Sequence, residues 1–591
     1  MNALHRTWFS VLTLIAVLGG IVPPAPAVAQ STQLPAHATV PTPVPSPQLP
    51  VTPSVAPGYE APNVEPTSAN IIGVTQQPFV GIGLSDAIGM ALLRNPNLAV
   101  SASQVKIARY QIVEAKGAFD VRLQVEPSSS MVITPPESFF AAGPNYSDII
   151  QHQSSFQYGV GGQTVNGTQY TVGIQQSRTF NNNYVNAFNP YYLASLNIAV
   201  TQPLLRNFGM NASKRQLKLA MANSDVNAAQ AQVDASNTIA QVSDAYWSLV
   251  AAWRNVAIQE EALKDAIAQQ QSNVRLASKG AAAPIDAVES STQVSNFQDN
   301  VFSALQSVSE LQNTLKGLVI TDPGDPIWRA NLVPTSSVLE LPNVPGLETI
   351  IAEGMKNRPE VREALAKHAE AEIDLGFAKN QSLPQADLQV TYQSNGFAGL
   401  LAPVPAFENN QCISTTLEDC PPPPGKTQGT MAYAYHNLWN FSYPTFNIGV
   451  LVSQPLGNNY AKGLKGVAKQ EQHEADVLTE GVAARIGFEA RNALQSYQSA
   501  LSRLWASRQA RSAAEQVYAS ELRKFHNGAS TTFLVLQRQV ELNQNRLREL
   551  QAQTDLNKSV VELTRVEGTI LSENGVDLQT MGSKAIPGGT K

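Results

Sequence analysis

Hydrophobic and polar positions change period several times along this 591-residue chain, and each change marks an element. Val121, Leu123 and Val125 alternate with Arg122, Gln124 and Glu126, the period of a strand with one apolar face. Leu196, Ile198 and Val200 alternate with Asn197, Ala199 and Thr201. Leu388, Val390 and Tyr392 do the same with Gln389, Thr391 and Gln393. Phe446, Ile448, Val450 and Val452 alternate with Asn447, Gly449, Leu451 and Ser453. The pattern predicts four strands of about ten residues, the length that a tilted membrane strand needs. Asn166-Gly167 carries a further hairpin signal and leaves the place of its strands open.

Elsewhere the period lengthens. Residues 84–116 read as a helix broken at Asn95-Pro96. Val242, Tyr246, Leu249, Trp253, Val256, Glu260, Leu263, Ile267, Gln270 and Val274 step alternately by four and three, a heptad stripe. Leu494, Tyr497, Leu501, Leu504, Arg508, Arg511, Glu515, Tyr518 and Leu522 repeat those steps. Polar members inside both stripes suit helices packed side by side in a wall. Each stripe runs to a glycine, Lys279-Gly280-Ala281 and Asn527-Gly528-Ala529. A second helix starts soon after, with Pro284 suited to a first turn and Val294, Val301, Leu305, Val308, Leu315 and Val319 on one face. Two long antiparallel helical hairpins follow. An arm over 212–278 would reach about 100 Å at 1.5 Å per residue.

The chain also repeats itself. Leu84-Ser85-Asp86-Ala87 and Asn95-Pro96 return at one common offset as Leu347-Glu348-Thr349-Ile350 and Arg358-Pro359. Leu123-Gln124-Val125 returns as Leu388-Gln389-Val390, and Thr201-Gln202-Pro203-Leu204 as Ser453-Gln454-Pro455-Leu456. One unit is therefore built twice. It divides the chain into a first repeat over 81–335 and a second over 336–575.

Composition adds the compartment. Residues 1–29 read as a signal peptide: His5 and Arg6, an apolar run over 8–18, and Ala27-Val28-Ala29 before Gln30. Residues 30–80 are a proline-rich linker, and 576–591 read as a disordered tail. Apart from the leader, no run approaches the roughly 18 apolar residues of a membrane helix, so a membrane form must be a β-barrel. Charged residues make up only 15% and the net charge is −6, which excludes a nucleic-acid footprint. Cys412 and Cys420 are close together in an exported chain and are expected to staple a loop as a disulfide. The long polar stretches between strands suit the external loops of a barrel. Tyr433, Tyr435, Trp439, Phe441, Tyr443 and Phe446 cluster before and into a returning strand and suit either an interfacial girdle or the packing of a loop. Trp247 and Trp253 read as helix-packing residues.

No catalytic chemistry emerges. The histidines lack metal-ligand spacing, no Gly-x-Ser-x-Gly elbow occurs, and Gly81-x-Gly83 follows a linker and not a strand. No metal, cofactor or enzyme activity is expected. Energy for any transport must come from a partner.

The order of elements, from the helix with Asn-Pro through strand, long loop and strand ending Gln-Pro-Leu to a hairpin tipped by glycine, occurs twice. It resembles the TolC-type outer-membrane efflux channel family, over about 84–571. That resemblance implies a mainly α fold with transmembrane β: a homotrimer whose hairpins form an α-barrel through the periplasm, continuous with a shared outer-membrane β-barrel. Four strands per chain would give twelve per trimer. Four strands cannot close alone, since about eight are needed. The resemblance further implies an exit duct of a tripartite efflux pump or type I secretion system, a passive conduit. Its partners would be a periplasmic adaptor and an inner-membrane transporter, and its seat the Gram-negative outer membrane. In this family acidic residues just past the hairpin glycine can ring the periplasmic mouth and either favour cations or gate the pore. Asp286 and Glu289 hold such positions in the first repeat, whereas Leu534 and Gln537 hold them in the second; the two carboxylates also suit the first turn of a helix, where the dipole favours them. Arg275, Lys279 and Gly280, with Arg523, Asn527 and Gly528, are the candidate docking tips for the adaptor. The competing reading is a periplasmic coiled-coil adaptor without a pore.

Overall fold

The computed structural model describes residues 79–137, 148–183, 186, 188–320, 322, 324–336, 344–401 and 427–576. Residues 1–78, which hold the expected signal peptide and nearly all of the expected linker, Cys412, Cys420 and the residues beyond Val576 lie outside the described residues.

Strand β1 (Phe79–Ile82) opens the described chain and pairs in parallel with β6 (Asn331–Pro334). Phe79 and Val80, at the end of the expected linker, thus lie in a strand together with Gly81. Both strands dock on the middle of helix α3 (Ala212–Ser278). Tyr246 Oη donates to Ile82 O at 3.2 Å and accepts from Ser336 N at 2.9 Å. Trp253 Nε1 donates to Leu332 O at 2.9 Å. Around them Ile239, Val242, Leu249, Leu315 and Leu332 form the largest apolar core. Trp247 and Trp253 pack there.

Helices α1 (Leu84–Arg94) and α2 (Pro96–Lys116) meet at Asn95. Its Oδ1 accepts from Asn97 N at 2.9 Å and its Nδ2 donates to Leu318 O at 3.0 Å, so one buried side chain caps a helix and ties it to α4 (Pro284–Val319). In the second repeat α5 (Leu347–Asn357) and α6 (Pro359–Gln381) meet at Arg358. Arg358 is buried and bonds Glu360 at 2.7 Å and Glu489 at 2.6 Å. The same chain step is held by a neutral cap in one repeat and by an ion triad in the other.

The second long arm, α8 (Asn459–His526), returns through α9 (Thr532–Glu567), followed by the short α10 (Ile570–Glu573). The N-terminal half of α3 packs on α2 and α6, as the Arg215–Asp374 ion pair at 2.6 Å shows. Its C-terminal half packs on α4 and α9. The 67-residue arm therefore has two buried faces where the heptad stripe marks one. Among the described residues no helix is long and apolar enough to cross a membrane.

The main sheet holds six strands, not four. They are β2 (Arg122–Thr134), β3 (Ile149–Gln163), β4 (Gln169–Asn181), β5 (Phe188–Pro203), β7 (Gln385–Leu401) and β8 (Tyr443–Ser453), antiparallel in the order β2-β3-β4-β5-β7-β8. The Asn166-Gly167 turn joins β3 to β4, with Gly167 at φ +95°. In the second repeat β7 pairs with β8 directly; in the first, β3 and β4 stand between the equivalent β2 and β5.

Register sorts the faces, because directly opposed residues share one. One cross-strand row reads Leu123, Val160, Val172, Ile198, Tyr392, Phe446. The adjacent row, on the other face, reads Gln124, Gly159, Gly173, Asn197, Gln393, Thr445. One face is apolar and the other polar. Both edge strands, β2 and β8, are exposed along their whole length.

Candidate functional site

The hairpin tips have matching geometry. Gly280 N donates to Ala277 O at 3.0 Å and Ala281 N to Leu276 O at 2.9 Å. Gly528 N donates to Phe525 O at 3.0 Å and Ala529 N to Lys524 O at 2.8 Å. This is the Schellman closure, which requires a left-handed residue after the cap. Gly280 at φ +71° and Gly528 at φ +72° supply it. Arg275, Lys279, Arg523 and Asn527 stand exposed around the two turns. Among the described residues none of the three cations forms an ion pair.

Asp286 and Glu289 separate in role. Asp286 Oδ2 accepts from Ala283 N at 3.2 Å and closes the first turn of α4. Glu289 is exposed and, with Thr292 and Gln293, lines a shallow groove of about 470 Å³ against Phe533, Leu536, Gln537 and Val540 of α9. The two tips are thus neighbours, and Glu289 faces the position where the second repeat carries Gln537.

Above the tips a charged seam crosses three helices. Arg546 of α9 reaches Glu261 of α3 at 3.1 Å and Glu515 of α8 at 3.7 Å. Arg511 of α8 bonds Glu515 at 2.9 Å and also bonds the buried Glu549 of α9. Arg508 adds a contact to Glu549 at 3.6 Å. Gln539 Nε2 donates to Ala262 O at 3.0 Å, and Asn543 Nδ2 to Gln259 Oε1 at 3.1 Å. Burial raises the Asp265 carboxyl above its ordinary range, opposed by Arg546 and Lys264. Burial, with Asp265 adding, pushes Tyr518 up to about 12. These contacts tie the first hairpin to the second. The heptad stripe flags Arg508, Arg511 and Glu515 as polar members; Glu261, Asp265, Arg546 and Glu549 carry no local signal, because their partners lie on other helices.

No family model matches the chain, and no curated protein matches it in sequence. Solved structures do. The outer-membrane channel OprN aligns over 87% of this chain and 99% of its own, with TM-score 0.55 at 16% identity. The Campylobacter jejuni CmeC outer-membrane channel aligns over 85% and 89%, with TM-score 0.55 at 12% identity. The outer-membrane protein VceC of Vibrio cholerae aligns over 82% and 96%, with TM-score 0.54 at 14% identity. The fold is that of the TolC-type outer-membrane channels. Within this TolC-type fold the paired turns, the groove at Glu289 and the charged seam all lie at or near the free ends of the hairpins. The expectation of four sheet strands per chain is corrected to six, since β3 and β4 join the sheet inside the first repeat.

Proposed function

We propose that the chain is the outer-membrane exit duct of a tripartite efflux pump or a type I secretion system. The observation that carries this reading is the sheet. It has one apolar and one polar face, and both edges stand free. Six strands are too few to close, and open edges in lipid leave backbone groups unsatisfied. Three copies joined β8 to β2 would supply eighteen strands and remove every edge. The apolar rows then meet lipid and the polar rows line a water-filled lumen. Exposed Val100, Ile107 and Tyr110 on α2, and Tyr460, Val467 and Leu478 on α8, supply apolar seams for the same neighbours.

In this reading the helical hairpins project into the periplasm of a Gram-negative cell. The tips, with Arg275, Lys279, Gly280, Arg523, Asn527 and Gly528, receive a periplasmic adaptor coupled to an inner-membrane transporter. Glu289 sets the charge of the mouth, with Asp286 holding its helix start. The conduit is passive. A poreless coiled-coil adaptor has no use for an amphipathic sheet of this size.

Planar-bilayer recordings test the reading. Wild-type protein should give discrete steps, and Arg546→Ala, which cuts the seam between hairpins, should raise the open time. Absence of conductance in both proteins, once they are reconstituted as trimers, would overturn it.

A further inference from the structure

Helix α7 (Met431–Trp439) packs on the apolar face of the sheet, the side opposite the polar lumen rows. Gly396 makes the seat: a Cβ there would lie 1.9 Å from Ala434 O and 2.7 Å from Leu438 N. Ala194 and Ala398 are the small residues beside it, and Ala434 and Leu438 bury against them.

Two polar side chains interrupt the apolar face under α7, and the helix satisfies both. Ser394 Oγ, fully buried, donates to Leu438 O at 2.9 Å. Gln176 Oε1 accepts from Tyr435 Oη at 2.6 Å. Such pairing matters where water cannot serve as partner.

Register gives the level of the helix. Below it lies the row Leu123, Val160, Val172, Ile198, Tyr392, Phe446. At its upper end the seat reaches a polar row of the same face, where Ser129, Ser154 and Arg178 stand in line with Tyr192 and the seat residue Ala398. The α7 seat spans the boundary. The outward side of the helix carries Ala432, His436 and Trp439, spaced four and three apart, with Trp439 55% exposed.

We propose that α7 is an interfacial helix on the outside of the barrel, with its outward face set in the outer-leaflet lipid at the boundary of headgroups and acyl chains. A tryptophan beside a polar His on one helix face fits that layer, where indole rings concentrate. The inference rests on the membrane reading of the sheet. It adds that the outer girdle is built by a helix bridging the two repeats, over β5 and β7.

The test uses full-length protein in phosphatidylcholine vesicles carrying a doxyl quencher at carbon 5 or carbon 12. The Trp439 signal is the difference between wild type and Trp439→Phe. A second reporter, Ile448→Trp in the Trp439→Phe background, sits mid-band on β8. Trp439 should be quenched at least about twofold more by the shallow label than by the deep one, and be shielded from aqueous iodide. The Ile448→Trp reporter should show the reverse order of depth. If that reporter responds but Trp439 meets iodide, or meets neither lipid label, the α7 placement fails and the membrane reading stands. If neither reporter responds to lipid label, both fail.

Discussion

Deleting Ile149–Asn181 removes β3 and β4 and leaves β2 beside β5, the arrangement that β7 and β8 already have. Both cut ends lie at one end of the sheet, where Asn182 Nδ2 donates to Asp148 O at 2.9 Å, so they can be joined. The geometric consequence follows from strand count. Strands about 4.8 Å apart and tilted near 40° give a closed sheet of eighteen a backbone diameter of about 36 Å. Twelve strands give about 24 Å by the same relation. In the proposed trimer the hairpin sets the width of the barrel, and its loss should shrink the cross-section between backbones roughly twofold. Electron microscopy of trimers in nanodiscs reads both diameters directly. A wild-type barrel near 24 Å would refute the reasoning, and so would a deletion variant that keeps the wild-type width. The wild-type measurement decides the matter even if the variant folds poorly.

Other outcomes follow from the helices. Asp265 has a raised folded pKa, so the stability linked to its proton is present below the ordinary carboxylate value and is lost as pH rises through the raised one. Asp265→Asn should therefore raise the melting temperature at neutral pH and give no such gain near pH 3; equal gains at both would contradict the burial argument. Gly280→Ala and Gly528→Ala meet no atom within 4 Å, so only the left-handed backbone resists them. Each should cost about 1–2 kcal/mol in denaturant unfolding, and a neutral result would mean that the turns relax freely. Asp286→Ala should lower stability by about 1 kcal/mol through the lost cap. Glu289→Gln should leave stability alone and reduce cation preference in reversal-potential measurements. Swapped phenotypes would reverse the two roles.

The elements differed in how readable they were, for physical reasons. The arm Ala212–Ser278 announces itself because a heptad period persists over many turns and ends at a glycine that must turn left-handed. The Asn95-Pro96 break shows for an equally local reason: proline restricts the residue before it. Strands β3 and β4 stayed unplaced because Gln, Ser, Gly and Thr dilute their alternation, and only pairing with β2 and β5 defines them. Strand β1 is four residues long and exists through β6, far along the chain. The charged seam has the same character, since the Arg546–Glu261 contact joins helices of different repeats. Helix α7 hides in a stretch that reads as loop, and its seat depends on a missing side chain at Gly396. At the tips, spacing put Asp286 and Glu289 on one face, but only the contacts to Ala283 and to α9 divide the cap from the groove.

Closure of one sheet by several copies is the claim on which the rest depends, and disulfide mapping between edge strands tests it most directly. With Cys412 and Cys420 replaced by serine, single cysteines along Arg122–Thr134 are each combined with Ile448→Cys. The account predicts that one short window of positions links neighbouring chains, and that the linked species ends at three chains on non-reducing gels. Membrane-inserted protein that yields no link between chains at any position would contradict it.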